Sequence, residues 1–163
     1  MVDRKDMVDP ILQLSGETWN VSKSTFKDAE SLSTALRAID LVEVRANNST
    51  PIQSLTRALE NDDKTYTINM IPTGTPIMMF GVGTFNNINY IWLLGSDEIL
   101  TIKRDFIKHS KFILDELTKP YDMVLNYVHK NNTIAIRWLR WLGVKFLREL
   151  DINNEPFYEF IYV

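Results

Sequence analysis

The fold of this chain is decided near its C-terminal end, between Val124 and Phe146, where the sequence reads VLNYVHKNNTIAIRWLRWLGVKF. The apolar run from Val124 to Val128 predicts a strand, and the polar residues that follow it predict a break. A helix is expected from Thr133 to Leu142, because Asn residues precede it and Gly143 follows it. A second strand is expected from Val144. The stretch therefore predicts a strand–helix–strand unit.

The helix within this stretch has an apolar face that is wider than one sheet contact needs. At 100° per residue, Ala135, Leu139 and Leu142 lie on one stripe with Trp138 beside them, and Trp141 lies at the edge. Either the helix is buried by a sheet and a neighbouring helix, or Trp141 belongs to a contact surface. Both interpretations fit the sequence, because Trp is common in cores and at interfaces.

The segment NTIAIRWLRWLGV resembles the C-terminal motif of the GNAT (Gcn5-related N-acetyltransferase) family. In that motif an Asn is followed by Ala three residues on, by Tyr seven on, and by Gly and an apolar residue eleven and twelve on. The corresponding residues are Asn132, Ala135, Leu139, Gly143 and Val144. Leu139 departs from the motif, because the family has Tyr there.

A second resemblance is to the GNAT-like proteins of short-tailed phages, some of which are described as internal virion proteins. It covers about Trp19 to Tyr162. The segments that carry it are LRAIDLVEVRA (36–46), PIMMFGVG (76–83), YIWLLGSDEI (90–99) and IRWLRWLG (136–143).

The remaining elements follow from periodicity and turn signals. One helix is expected to start at Asp28 and continue through Val42, and another to start at the capping box of Thr50. The glycines of GVGTF (81–85) are expected in a turn. Three strands are predicted at Tyr66–Ile71, Pro76–Val82 and Tyr90–Leu94. A helix is predicted over Asp97–Leu117, and a last strand over Phe157–Tyr162.

The order of elements is strand, two helices, three strands, helix, strand, helix and two strands. This order predicts an α/β protein with a mixed sheet, and it agrees with the GNAT-like fold that the resemblance implies. That fold has a mostly antiparallel twisted sheet, one splayed parallel pair of strands, and helices on both faces. We expect one GNAT-like domain over residues 18–163 and an N-terminal extension over residues 1–17.

Composition narrows the function classes. With 163 residues and 45% apolar content, the chain can bury one sizeable core. The net charge of −3 argues against a dedicated nucleic-acid binder, and no cysteine is present for disulfides or thiolate sites. His109 and His129 are the two histidines, and no metal-ligand spacing surrounds them, so no metal is expected. The charged N-terminus predicts no signal peptide, and no apolar run suits a membrane span.

The resemblance implies where acetyl-CoA would bind if this chain were an enzyme. GNAT enzymes hold the coenzyme where two parallel strands splay apart and lay its pyrophosphate on a Gly-rich basic loop before the next helix. The corresponding residues are Leu93, Leu94, Gly95, Ser96 and Asn132. However, Asp97 and Glu98 are expected in the first turn of that helix, where carboxylates repel a pyrophosphate. We therefore expect no cofactor, and acetyl-CoA only if the chain is enzymatic.

The groups that acetyl transfer would need are also incomplete. In many GNAT enzymes the motif Tyr protonates the departing thiolate, and Leu139 cannot donate a proton. Glu43 is the best candidate for a general base, with a solvated helix face as the alternative. Asn126 could bond the backbone of a splayed neighbouring strand.

Two functions remain open at this point. The first is a phage protein with a degenerate acetyl-CoA site that binds a phage structural protein or a host protein, located in the virion or the host cytoplasm. Its contact surface would include Trp138, Arg140 and Trp141, since Trp and Arg dominate interfaces. The second is an acetyl-CoA-dependent N-acetyltransferase acting on an amine, with Glu43 as the base.

Overall fold

A seven-stranded mixed sheet forms the centre of the structure, a computed structural model that describes residues 8–163. The strand order is β1-β2-β3-β4-β5-β7-β6, and β4 and β5 are parallel while the other neighbouring pairs are antiparallel. The strands are β1 (Trp19–Lys23), β2 (Lys64–Met70), β3 (Pro76–Phe85), β4 (Ile88–Gly95), β5 (Val124–His129), β6 (Lys145–Ile152) and β7 (Glu155–Tyr162). The predicted α/β class with a mixed sheet is confirmed.

Helices cover both faces of the sheet. The five α-helices are α1 (Phe26–Ser33), α2 (Ala38–Ala46), α3 (Pro51–Asn61), α4 (Ile99–Thr118) and α5 (Thr133–Leu142), and a short 3-10 helix spans Pro10–Gln13. The first three α-helices form one apolar cluster with the face of the sheet that carries Met79 and Leu94. The helices α4 and α5 and the 3-10 helix pack on the opposite face, which carries Phe80 and Val128.

The largest part of the core lies under α4. Trp19 is 1% exposed and packs edge-to-face on Phe106 of α4, with ring centroids 6.3 Å apart. Its indole Nε1 donates a hydrogen bond to Asp105 Oδ2 at 2.7 Å, so the polar atom of this buried ring is satisfied. The first strand is thereby joined to the helix that follows β4.

The C-terminal unit forms as its sequence predicts. The side chain of Asn132 accepts from Ala135 N and caps α5, and Gly143 ends the helix with a φ of +92°. That left-handed conformation carries little strain only in glycine. The next strand, β6, does not pair with β5, because β7 lies between them.

The helical region before the β2–β4 meander differs from the prediction. One helix was expected from Asp28 through Val42, but the chain forms α1 and α2 with a break between them. The cap of α1 is Thr25, and Asp28 completes the capping box three residues later. The break exists because Arg37 N donates to Gly95 O at 2.9 Å, which docks the connection onto the end of β4.

Two other local predictions are wrong. The helix expected from Asp97 begins at Ile99, so Asp97 and Glu98 precede it. The glycines of GVGTF lie inside β3 rather than in a turn. Gly81 is required there by close packing, because a Cβ would clash with the backbone oxygen of Lys64 on the neighbouring strand.

The segment before β1 packs on the main core. Ile11 is buried among the residues of the cluster that contains Trp19, and Leu12 and Leu14 pack against that cluster. The predicted extension over residues 1–17 therefore docks on this chain from residue 8 onwards. Its first seven residues lie outside the described residues, and the boundary at residue 17 stays a prediction.

One edge of the sheet is formed by β6, whose pairing with β7 is irregular. The register shifts between Phe146 and Arg148, which leaves Leu147 as an extra, exposed residue. The exposed residues of the strand include both acids and bases. A bulge and mixed charges are features that oppose pairing of an edge strand with another chain.

We predict that Gly143→Ala lowers the free energy of unfolding by about 1 kcal/mol, because alanine is strained at a positive φ. Urea denaturation followed by circular dichroism measures the change. The matched control is Thr133→Ala, at an exposed position at the other end of the same helix, which should stay within about 0.5 kcal/mol of the wild type. Equal stability of the two variants would contradict the prediction.

Candidate functional site

The two parallel strands at the centre of the sheet separate soon after they meet. Tyr90 pairs with Leu125, and this is the one residue pair in register between β4 and β5 in the described chain. A cavity of about 400 Å³ lies in the opening and reaches both faces of the sheet. Its lining includes Leu93 and Leu94, two of the residues predicted to bind a coenzyme.

Asn126 occupies the point at which the strands part. Its side-chain amide Nδ2 donates to the carbonyl oxygen of Ile91 on β4, and its Oδ1 accepts from the backbone N–H of Tyr127 at 2.7 Å. A parallel ladder would have bonded such backbone groups, and here one side chain bonds two of them. The expectation that Asn126 bonds the backbone of the splayed neighbour agrees with this geometry.

The end of β4 is held by an ion pair from α2. Asp40 is 1% exposed, and its Oδ2 accepts from Gly95 N at 2.9 Å. Its Oδ1 lies 2.8 Å from Arg37 Nη2. Burial raises the pKa of Asp40 above its ordinary value, and the hydrogen bond and charge of Arg37 oppose that rise. The backbone N–H of Gly95 therefore already has an anionic partner from this chain.

The first N–H groups of α4 have partners in the turn that precedes the helix. Ile99 N, Leu100 N and Thr101 N donate to the carbonyl oxygens of residues 96, 97 and 98 at 3.2, 3.1 and 3.0 Å. No side chain caps the helix. The acids at 97 and 98 are exposed and stay outside the opening between the strands. The hydroxyl of Ser96 is buried without a hydrogen-bond partner among the described residues.

Glu43 lies on the other side of the opening. It projects from α2 one turn after Asp40, and its Oε1 accepts from His129 N at 3.0 Å and from Asn132 Nδ2 at 3.1 Å. Burial raises the pKa of Glu43, whereas the two hydrogen bonds lower it less strongly. The alternative of a solvated helix face is therefore wrong for this residue, which lines the 400 Å³ cavity.

Asn132 is predicted as a coenzyme residue, yet its side chain has two structural bonds. Its Oδ1 caps α5 at Ala135 N, and its Nδ2 donates to Glu43. The neighbouring His129 is buried, with Nε2 2.6 Å from Glu155 Oε2. Because His129 Nδ1 accepts from Asn131 N at 3.0 Å, the ring proton belongs on Nε2 and is donated to Glu155.

Leu139 is buried on the inner face of α5 and lines the same cavity. Tyr127, on β5, also lines it and carries a hydroxyl. Burial and the carboxylate of Glu159 raise the pKa of Tyr127, which makes its hydroxyl a poorer proton donor at neutral pH. Leu139 cannot donate a proton, and Tyr127 is not an activated acid that could act in its place.

The three residues of the predicted interaction surface have different environments. Trp141 is 59% exposed. Arg140 is exposed and lies over the ring of Phe146 at 5.6 Å. Trp138 is half-buried, packs against Phe106 and donates from Nε1 to Ser110 Oγ at 3.0 Å. The structure therefore brings Trp138 and Trp141 to one groove beside α4, and places Arg140 towards β6.

Arg37 and Asp40 are site residues that the sequence pattern did not predict. A charged pair spaced by three residues in a helix is ordinarily a surface feature, so the pattern alone gave no reason to select it. The signal that could have found them is the unusual burial of Asp40 on an otherwise apolar helix stretch, AIDLV. That signal is visible only when the docking of α2 on β4 is known.

No group of three or more His, Cys, Asp or Glu side chains within residues 8–163 is arranged to hold a metal ion. In the same range, no helix is long and apolar enough to cross a membrane.

A protein-family model matches residues 68–151, slightly more than half of the chain. Its description is "Bacteriophage T7, probable scaffold protein Gp13". The matched range begins in β2 and ends in β6, so it contains the two parted strands β4 and β5 and the helices α4 and α5, but not α2. No curated protein sequence matches the chain.

Solved structures with a similar fold include acetyltransferases. An acetyltransferase of the GNAT family from Bacillus anthracis superposes with a TM-score of 0.66 and 12% identity, covering 91% of this chain and 96% of that one. The ribosomal-protein-S5-alanine acetyltransferase from Vibrio fischeri gives 0.62 and 13%, covering 92% and 95%. Ard1 from Thermoplasma volcanium gives 0.63 and 15%, covering 88% and 96%. At these low sequence identities the structural similarity shows the fold alone, and the GNAT fold is thereby confirmed.

We predict that Glu43→Gln raises stability at neutral pH. The folded state raises the pKa of Glu43, so its contribution to stability is full below the ordinary value of 4.5 and is lost as pH rises through the folded pKa. Glutamine keeps an acceptor oxygen for His129 N but cannot ionise. The stability advantage of the variant over the wild type should therefore grow between pH 4 and pH 7. Each kcal/mol of added unfolding free energy should raise the thermal midpoint by about 2–4 °C.

Thermal unfolding at both pH values measures this change. Glu60→Gln, at an exposed position on α3, is the matched control and should show no such pH-dependent gain. A wild type that is more stable than Glu43→Gln at pH 7 would contradict the prediction.

Proposed function

The chain belongs to the family of the bacteriophage T7 probable scaffold protein Gp13, and from this premise we propose that it is a non-enzymatic phage protein that works by binding other proteins. On this proposal the GNAT fold is retained and its acetyl-CoA site is degenerate. The protein is associated with the virion of a short-tailed phage, as an internal protein, or acts on a host protein in the cytoplasm. Its partner is a phage structural protein or a host protein.

The observation that carries the proposal is the bond between Asp40 and Gly95 N. Gly95 stands where the pyrophosphate loop of GNAT enzymes begins, and that loop binds phosphate through free backbone N–H groups. Here a buried carboxylate accepts the N–H at 2.9 Å. A phosphate at this place would have to displace Asp40 and would meet its negative charge at short range.

The start of α4 supports the same conclusion. The N–H groups of its first turn are bonded to carbonyl oxygens of the preceding turn, and Asp97 and Glu98 add two exposed carboxylates next to them. An anion gains from a helix N-terminus when donors are free and the local charge is positive. The first N–H groups of α4 already have partners, and Asp97 and Glu98 oppose the positive charge of Arg37 and Lys103, so these residues fit a coenzyme diphosphate poorly.

The acetyltransferase alternative rests on Glu43. This carboxyl has a raised pKa and lines the 400 Å³ cavity, as a general base would. Both of its hydrogen bonds, however, hold the ends of secondary structures, and Leu139 supplies no proton for a leaving thiolate. A structural role explains Glu43 without a reaction, and the enzyme alternative is not favoured.

The proposed contact surface is the outer side of α5, with Trp138, Arg140 and Trp141. Trp141 is the strongest member, because a 59% exposed indole leaves a large apolar area in water. Arg140 is held over Phe146 and can extend the same surface. Trp138 is half-buried and forms part of the wall of the groove between α4 and α5, where its Nε1 donates to Ser110.

We predict that isothermal titration of the purified chain with acetyl-CoA and with CoA gives no binding heat at millimolar coenzyme. The physical reason is the internal occupation of Gly95 N by Asp40. The Vibrio fischeri acetyltransferase named above is the positive control. A dissociation constant in the micromolar range, about −8 kcal/mol, would overturn the proposal.

We predict that Trp141→Ala leaves the fold intact and reduces the yield of infectious particles at least tenfold when the variant complements a phage that lacks this gene. The indole is exposed, so its loss costs little folding energy but removes a contact anchor. Phe85→Ala, another exposed aromatic at the β3–β4 turn, is the matched control and should complement fully. Loss of folding in Trp141→Ala, or normal particle yield, would count against the surface.

A further inference from the structure

A second cavity, of about 280 Å³, lies between α4 and α5 on the outside of the main core. Its wall includes Trp138, whose ring packs 5.8 Å from Phe106 and whose Nε1 is fixed by Ser110. The two helices are also joined at their far end, where Lys111 Nζ lies 3.5 Å from Leu142 O. Trp138 is therefore a fixed part of the groove wall.

The two helices present matching stripes to this groove. Each stripe has an apolar residue, a cation one turn on, and a second apolar residue one turn further. The stripes are Leu100, Lys103 and Ile107 on α4, and Ile134, Arg137 and Trp141 on α5. Spacings of three, four and seven residues place each set on one helix face.

The charge of the groove has one sign. Lys103, Arg137 and Arg37 line it, and among the described residues no Asp or Glu does. Exposed apolar side chains stand beside these cations, with Leu100 50%, Ile134 43% and Trp141 59% exposed. An apolar seam edged by cations is complementary to an apolar segment that carries carboxylates on its flanks.

We propose that the groove between α4 and α5 binds an amphipathic helix of a partner protein, with an apolar stripe in the seam and acidic side chains against Lys103 and Arg137. The inference rests on the proposed function and names the chemistry of the partner. Two parallel helical ridges with a gap between them are the geometry in which a third helix packs. Helix-in-groove recognition uses anchors at such spacings.

A coenzyme is the competing occupant of this groove, and the competition assay below distinguishes it from a helix. The exposed apolar rim formed by Leu100, Ile134 and Trp141 offers a seam for the apolar face of a helix. The volume suits one or two apolar side chains inserted from a helix whose backbone stays outside. Lys103 and Arg137 would then meet acids at the rim, where solvent weakens the ion pairs but the charges still select the partner.

The test uses the purified full chain and two fluorescein-labelled 18-residue helical peptides. Both peptides have Leu at positions i, i+3, i+4 and i+7 and their repeats, and the flanking positions are Glu in one and Lys in the other. Fluorescence anisotropy measures binding at fixed salt. We expect the Glu peptide to bind at least tenfold more tightly than the Lys peptide.

Lys103→Glu should reduce that preference about tenfold, because the substitution puts an acid in the groove wall. The matched control is Lys108→Glu, which makes the same charge change at an exposed position of α4 outside the groove and should keep the wild-type preference. Equal affinity for the two peptides, binding of neither, or equal effects of the two substitutions would overturn the inference.

CoA is added as a competitor in the same assay. Displacement of the peptide by micromolar CoA would make the groove a coenzyme site and would overturn both this inference and the proposed function. If CoA does not bind and Trp141→Ala still blocks particle assembly, but neither peptide binds, then the groove inference fails while the proposed function stands.

Discussion

Two carboxylates on one short helix, one buried and one half-buried, hold the open sheet in shape. Asp40 and Glu43 are one turn apart on α2, and they accept the backbone N–H groups at the ends of the two strands that part. Asp40 bonds Gly95 at the end of β4, and Glu43 bonds His129 at the end of β5. The helix is thus a clamp across the carboxyl ends of the separated strands. Without it, the N–H groups that the missing ladder leaves unpaired would be buried at a cost.

This clamp has an energetic cost of its own. Burial raises the pKa of both carboxyls, and their mutual repulsion adds to that rise for Glu43. Arg37 and the backbone donors offset part of the cost. A protein that buries such groups gives up stability in exchange for a defined geometry. The opening in the sheet is therefore an imposed feature, maintained by α2, Asn126 and the packing of α5.

Much of the architecture could be predicted from the sequence, because local signals and the global fold agree there. The cap Asn132 and the stop Gly143 delimit α5 as the pattern indicates, and the capping box at Thr50 starts α3. The break between α1 and α2 could not be predicted, since it depends on Arg37 N reaching Gly95 O across 58 residues of chain. The glycines of β3 were misread for a similar reason. Their role is close packing against a neighbouring strand, which periodicity does not encode.

The resemblance indicated which segment of the chain would form the candidate site, but not the contacts within it. The motif resemblance located the opening at residues 93–96, and the local acids Asp97 and Glu98 indicated a poor anion site. The carboxylate that actually meets the strand end is Asp40, which comes from a different element. Sequence spacing could not show this, because the contact is made by tertiary docking of α2.

The irregular edge of β6 bears on how this protein meets other copies of itself. A regular, exposed edge strand can pair with the edge of another copy and join copies into fibrous aggregates. The displaced Leu147 and the mixed charges of Lys145, Arg148, Glu149 and Asp151 oppose that pairing. Association is thereby left to side-chain surfaces, which can choose one partner, rather than to backbone pairing, which accepts any extended chain.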